Sequence, residues 1–305
     1  MIFRKPYIGI TLFILSFGVV SVFFPETLFA QKYPLELSTS QTSMADLNDQ
    51  AGSMSVKTDH ASLVVPLLPF ESFSAYFYLK EDRKTFSYDD SFTEFTLQEN
   101  NQTYQVDDLP EKLVMSTRGL ILFLALGESG LLLRRDQMLA TDYEDVNEED
   151  QAFMNQFMLM LDRKKDKHWS FGAVQIGGIA NDSYWPLIGY KYKSETVIFD
   201  MVFPSYGYLR LRLGDLFYVI FDETVESDSY RLTEEEPWNN AIYTVLNLTS
   251  RVELGINPFS GLELGLSYGA NVYRKVTISD SEDNELGNLD LKDTSVWSVQ
   301  LQWRM

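Results

Sequence analysis

Strict alternation of apolar and polar residues, running to the last residue of the chain, is the feature that most constrains the fold. In 296–305, apolar side chains stand at every second position, with Ser, Gln and Arg between them. This period of two indicates a strand with one apolar face. Outer-membrane barrels end on such a strand, which pairs with the first strand, whereas an edge strand of a soluble sandwich is the alternative. We predict that the apolar positions form a C-terminal assembly strand facing lipid: Trp297, Val299, Leu301, Trp303 and Met305.

The first thirty residues are typical of an export signal. Two basic residues precede an apolar run over 8–24, and Ala30 provides a small residue at the expected cleavage site. We therefore expect residues 1–30 to be a signal peptide, followed by a barrel domain over 31–305 that is exported by the Sec route to the bacterial outer membrane. An uncleaved anchor is the alternative, because the run approaches the length of a spanning helix.

Composition excludes several function classes. The 305 residues include 44 acidic and 25 basic side chains, and a net charge of −19 disfavours nucleic acid as a partner. The chain has no Cys and two His, which excludes thiol catalysis and leaves little for a metal centre. We predict no metal and no cofactor. The expected partners are outer-membrane lipids, the barrel assembly machinery and small solutes.

Alternation recurs through the rest of the chain and predicts an all-β, antiparallel transmembrane barrel. One face is apolar and the other small or polar, as expected for lipid outside and a lumen inside. The predicted strands are 33–42, 53–65, 72–81, 112–126, 131–136, 152–162, 169–177, 187–193, 196–203, 208–213, 216–225, 241–256, 261–276 and 292–305. The count is fourteen, or twelve if the pieces flanking the short connection at 204–207 form one bent strand or a loop.

Long and short connections alternate, which predicts two different ends of the barrel. The long ones are expected at the cell surface: 43–52, 82–111, 137–151, 178–186, 226–240 and 277–291. Their carboxylates are predicted to be solvated, with cation bridging to anionic lipid as the alternative. They include Asp142, Glu144, Asp145, Glu148, Glu149, Asp150, Glu234, Glu235, Glu236, Asp280, Glu282, Asp283 and Glu285.

Charged residues inside the strands predict a cluster in the lumen. Arg or Lys at the middle of a lipid-facing surface costs about 2–4 kcal/mol, so these residues should point inward. They are Lys191, Asp200, Arg210, Arg212, Arg251 and Glu253. Two interpretations are equally supported, a charged constriction that selects solutes and a set of salt bridges that fill a narrow barrel. In an open pore the cations would favour anions, and Asp200 or Asp222 is the expected counter-charge.

Motifs around 184–232 resemble a bacterial outer-membrane β-barrel family of unknown function. Tyr184-Trp-Pro-Leu-Ile-Gly189 carries its P-L-x-G hairpin pattern, and Ser229-Tyr-Arg-Leu232 its later Y-R-L. The segments 64–66 and 162–172 also fit, so the resemblance covers about 50–305. It implies a barrel and no known activity.

Catalysis is not expected from these residues. His60 and His168 are the only imidazoles, and neither has a nucleophile motif near it. We predict a non-enzymatic channel or passive transport barrel for small solutes. A closed structural or surface-interaction barrel displaying acidic loops is the alternative, and an outer-membrane lipid-modifying enzyme is the third and least favoured hypothesis.

Overall fold

A computed structural model describes residues 35–48, 52–70, 72–90, 92–97, 102–142, 150–163, 165–232 and 240–303. The predicted signal peptide and its cleavage site, Met305, and the carboxylates of 143–149 and 233–239 lie outside these residues. The barrel strands are β1 (Leu35–Thr42), β3 (Ser53–Pro69), β4 (Phe73–Tyr88), β7 (Lys112–Leu126), β8 (Ser129–Thr141), β9 (Gln151–Leu161), β10 (Lys167–Gly177), β11 (Ser183–Lys193), β12 (Val197–Phe203), β13 (Tyr206–Leu213), β14 (Phe217–Arg231), β15 (Ile242–Phe259), β16 (Leu262–Ser279) and β18 (Thr294–Trp303). Short strands β2 (Ala45–Asp46), β5 (Glu94–Leu97), β6 (Gln102–Gln105) and β17 (Glu285–Leu291) and a 3₁₀ turn (Val106–Asp108) complete it.

The fourteen long strands close into one antiparallel barrel. Neighbours in the chain are neighbours in the sheet, and β1 closes the ring by pairing with both β18 and β3. Fourteen strands, rather than twelve, is therefore correct. The segment 204–205 is the tip of a separate hairpin, because β12 pairs with β13 from Val197↔Leu211 to Val202↔Tyr206. Among the described residues, no helix is long and apolar enough to cross a membrane.

An apolar belt surrounds the part of the barrel nearest the short turns, here called the turn end. The outward positions of β7 are Leu120, Leu122, Leu124 and Leu126. Leu120, Leu124 and Leu126 are 40–48% exposed, and Leu122 is partly exposed. On β18 the corresponding positions are apolar too. The pattern follows the alternation of the sequence, and it is the surface that hydrocarbon would cover.

Beyond the belt, at the loop end, the strands continue with the opposite polarity. Outward positions there carry ion pairs, Lys57 with Asp59 at 2.9 Å and Arg83 with Glu81 at 2.6 Å. Charged outward positions do not fit the apolar outward face expected of a membrane strand. For this reason the sequence predicts loops in these stretches. That assignment was wrong for 82–88, 137–141, 183–186, 226–231 and 285–291, which are strand.

The interior of this loop-end extension is an apolar core. Inward side chains from several long strands pack there with 0% exposure, among them Met54, Tyr243 and Ile278. Phe95 of the hairpin β5–β6 and Phe92 just before it add to this core, each 1% exposed. The tip of β14 also reaches across to β8 through one parallel bridge, Arg231↔Thr141, so the extension closes on itself without β9–β13. The loop end is therefore a small barrel of soluble type joined to a membrane-type barrel.

Replacing Leu124 with arginine tests this division. Leu124 faces outward within the belt and is 41% exposed, so the cation would meet lipid and lower the free energy of unfolding by about 2–4 kcal/mol. The matched control is Ser116→Arg, an outward position on the same strand opposite Glu81 in the extension, where we expect almost no change. Denaturant unfolding in lipid vesicles measures both, and equal losses would contradict the boundary.

Candidate functional site

The predicted charge cluster lines the barrel interior. Lys191 on β11 and Asp200 on β12 are register partners, and their Nζ and Oδ2 atoms lie 2.8 Å apart. Tyr206 adds a hydroxyl that donates to Asp200 at 3.3 Å. On the next wall Arg251 and Asp222 lie opposite each other, with 2.9 Å between Nη2 and Oδ1. The Lys191 and Arg251 side chains are each 27% exposed, so solvent reaches both pairs.

Arg210 has a different partner from the one the sequence indicated. Its guanidinium forms a fork with the Glu263 carboxylate, at 2.8 and 3.0 Å, and lies 4.0 Å from the centre of the Tyr218 ring. Of the two expected counter-charges, Asp200 pairs with Lys191 and Asp222 with Arg251, whereas the partner of Arg210 is Glu263. The pair is buried, with 6% and 11% of the two side chains exposed. Arg212, two residues along, is exposed and belongs to the rim of the turn end rather than to this pair.

Glu253 belongs to the same buried group. It accepts a hydrogen bond from the Gln300 amide of β18, so the interior face of the C-terminal strand contacts the charge cluster. Two glycines lie close to this group: a Cβ at Gly255 would overlap the Tyr218 ring, and one at Gly265 would displace the Glu253 carboxylate. Side chains thus fill the turn end of the lumen along β13–β18.

Sequence reasoning missed three further polar groups on the inner wall. His60 Nδ1 lies 2.6 Å from Asp82, which also pairs with Lys80 at 2.5 Å. The alternation does place His60 on the inner face, but it cannot identify Asp82 as its partner. No nucleophile joins this group in the described residues, and its geometry is that of a lumen ion pair.

The other two groups stand above and beside it. Arg134 pairs with Asp136 at 2.6 Å and covers the Tyr78 ring at 4.8 Å. Lys84, 4% exposed, pairs with Asp228 of β14 directly beneath the apolar core. Together these pairs form a polar middle layer of the lumen in which cations and anions alternate.

One side of the lumen is apolar instead. Inward residues of β4 and β7–β12 pack into a second hydrophobic cluster: Tyr78, Ile121, Leu132, Met158, Leu187 and Val202. Val174, Met160 and Tyr206 pack against it and are partly exposed. We call this set the apolar wall. A solute in the lumen would meet ion pairs on one side and hydrocarbon surface on the other.

The C-terminal strand lies where the closure of the barrel requires. β18 pairs with β16 through Leu262↔Trp303 and with β1 through Leu35↔Trp303. Trp297, Val299, Leu301 and Trp303 occupy its outward positions, and the two indoles are 43% and 48% exposed. Its role in assembly remains a prediction.

The acidic turn at 280–285 is organised by its own hydrogen bonds. Asp280 accepts from the backbone N–H groups of Glu282 and Asn284, each at 2.9 Å. The Asn284 side chain and these backbone donors hold the pKa of Asp280 below its ordinary value. Across the described ranges, no group of three or more acidic or His side chains is arranged to hold a metal ion.

A closed antiparallel barrel with an apolar outer belt and an ion-paired interior defines the class: a transmembrane β-barrel. No family model matches the chain, and no curated protein matches it. A COG4313 outer membrane channel from Pseudomonas putida F1 is similar in structure, with 10% identity, 88% of this chain and 94% of that chain covered, and a TM-score of 0.43.

Two further structures are similar. One is the translocator domain of the autotransporter NalP from Neisseria meningitidis, with 9% identity and a TM-score of 0.30. The match covers 98% of this chain and 95% of that chain. The other is OccK5 of Pseudomonas aeruginosa, with 8% identity and a TM-score of 0.30. The match covers 88% of this chain and 98% of that chain. At such identities the function has to be derived from the residues of this chain.

Proposed function

We propose that the protein is an integral outer-membrane channel that conducts small solutes without catalysis. Three solvent-accessible ion pairs of the lumen carry this proposal: Lys80–Asp82, Lys191–Asp200 and Arg251–Asp222. A barrel filled for stability alone would bury such pairs, whereas Lys80, Lys191 and Arg251 keep 27–32% of their side-chain surface exposed. Paired charges of both signs let water and small polar solutes pass without a strong preference for one ion.

Conductance of the purified, refolded protein in a planar bilayer tests the channel. We expect discrete current steps. Arg251→Gln should shift the reversal potential in a salt gradient toward cations, because it leaves the carboxylate of Asp222 uncompensated beside the water path. Arg83→Gln is the matched control: it breaks an ion pair of similar length on the outer surface and should leave selectivity unchanged.

A closed structural barrel is the second candidate. The apolar core at the loop end and the buried Arg210–Glu263 fork at the turn end both favour it, because each fills part of the cross-section. Folded protein that carries no current would establish this candidate and refute the channel.

A further inference from the structure

The barrel wall is lowest at the hairpin β12–β13. These strands have seven and eight residues, against eleven in β11 and fifteen in β14 on either side. The last pair between β11 and β12 is Ile188↔Phe203, and the last between β13 and β14 is Tyr206↔Thr224. Both flanking strands continue above the hairpin. In the described ranges, no strand pairs there with 183–187 of β11 or with 226–230 of β14 on the side facing the hairpin.

The gap is bounded on all sides. Its floor is the turn 203–206, tied to β14 by the Val225 N–H donating to the Ser205 carbonyl at 2.9 Å. Its sides are 183–187 of β11 and 225–230 of β14. At the top the two sides meet, because Arg231 donates to the Ile179 carbonyl at 3.3 Å. We call this opening the side window.

Strand geometry gives its size. Three interstrand spacings of about 4.8 Å separate β11 from β14, so the floor is about 14 Å wide. Five strand residues give a height of about 16 Å along β11. This is wide enough for an aromatic ring or an alkyl chain. Pro186 stands in the open edge and has no N–H, which reduces the number of unpaired donors there.

The rim of the side window is aromatic on its β11 side and at its floor, whereas its β14 side carries Glu226, Ser227, Asp228 and Ser229. Trp185 lies on the same inward face of β11 as Lys191 and is 52% exposed. Tyr184 and Phe203 are 68% and 66% exposed. Directly below Trp185 the apolar wall begins with Leu187, Val202 and Tyr206. Apolar side chains therefore lie both at the rim and on the lumen wall below it.

The side window opens at the edge of the apolar belt. The outward residues of β12 are apolar up to its end: Val197, Phe199, Met201 and Phe203. On β14 the outward series passes from Phe221 to the exposed Glu223 just below the hairpin tip. The opening consequently lies where hydrocarbon gives way to the headgroup layer. Above the lumen the loop-end core fills part of the cross-section, with Met54, Tyr243 and Ile278 fully buried.

We propose that the side window is a lateral route by which uncharged aromatic or aliphatic molecules move between the lumen and the outer edge of the membrane. The proposal rests on the channel function above and assigns a substrate class to it. The apolar wall disfavours charged solutes, because it provides no partner for an ion that leaves water. Exposed Glu226 on the rim adds to the exclusion of anions.

Two probes test the route. N-phenyl-1-naphthylamine, an uncharged aromatic dye, reports passage across the outer membrane of cells that make the protein, and arabinose reports the aqueous pore in liposome swelling. We expect the wild-type protein to increase both rates. Trp185→Glu should reduce dye uptake about tenfold, equivalent to about 1.4 kcal/mol, and leave arabinose swelling unchanged. Trp185→Phe should retain uptake of both probes.

Ser40→Glu is the matched control, because Ser40 is an inward residue of β1, five strands from β13, and a carboxylate there should leave dye uptake unchanged. Heat-modified migration of each variant on gels verifies folding. Three results would refute the lateral route and leave the channel standing. In the first, arabinose passes but the wild-type protein does not accelerate dye uptake. In the other two, Trp185→Glu leaves dye uptake unchanged or reduces the uptake of both probes equally. If the wild-type protein conducts neither probe, the channel itself is refuted.

Discussion

Deleting Trp303 to Met305 is expected to remove the folded protein from the outer membrane. Trp303 is the last described residue of β18 and pairs with Leu35 on one side and Leu262 on the other. Without it, both neighbouring strands keep backbone groups without partners at the turn end of the belt, and each such group in hydrocarbon costs several kcal/mol. Immunoblots of outer-membrane fractions, with and without heating, measure the loss.

Trp303→Phe provides the control for the deletion. It keeps the backbone pairing and an aromatic side chain at the interface, so we expect near-normal amounts of folded protein. Normal outer-membrane levels of the deletion variant would show that closure does not depend on this end of the strand.

Arg210→Met is expected to lower the free energy of unfolding by about 3–5 kcal/mol, because it leaves the buried Glu263 carboxylate without its partner. The double variant Arg210→Met with Glu263→Met should recover most of this loss, since the pair is replaced by apolar side chains of similar size. Arg212→Met is the matched control: it lies on the same face of the same strand but is exposed, so we expect a change of about 0–1 kcal/mol. Denaturant titration in micelles measures all three. A double variant as unstable as Arg210→Met would argue against a pairwise origin.

The barrel and its strand order were accessible from the sequence because the membrane part repeats one rule. Wherever the outward face is apolar, as in 262–270 of β16, alternation located the strand and its lipid side. The ends of the strands could not be predicted, because at the loop end the outward positions are polar and charged instead of apolar. Glu81 and Arg83 made β4 look finished at 81, although the strand continues to Tyr88, with Phe86 and Tyr88 packed into the interior.

For the candidate site, the sequence predicted which residues face the lumen but not which residues form ion pairs with each other. Alternation places Lys191, Arg210 and Glu263 on the inner face, and adjacent strands made Lys191 with Asp200 a natural pair. The Arg210–Glu263 fork joins residues 53 apart across three strand boundaries, so it depends on the curvature of the closed barrel. The side window depends on differences in strand length, which the sequence alone did not resolve.

The switch of polarity along single strands has a consequence for bilayer thickness. Lys57–Asp59 and Glu81–Arg83 lie on strands that enter the belt without a break, so the height of the apolar surface is fixed by a hydrogen-bonded sheet rather than by adaptable loops. A membrane of different thickness cannot be accommodated by tilting one strand independently of its neighbours. The surrounding lipid must stretch or thin to match the protein, and hydrophobic mismatch should therefore change the membrane around this barrel more than the barrel itself.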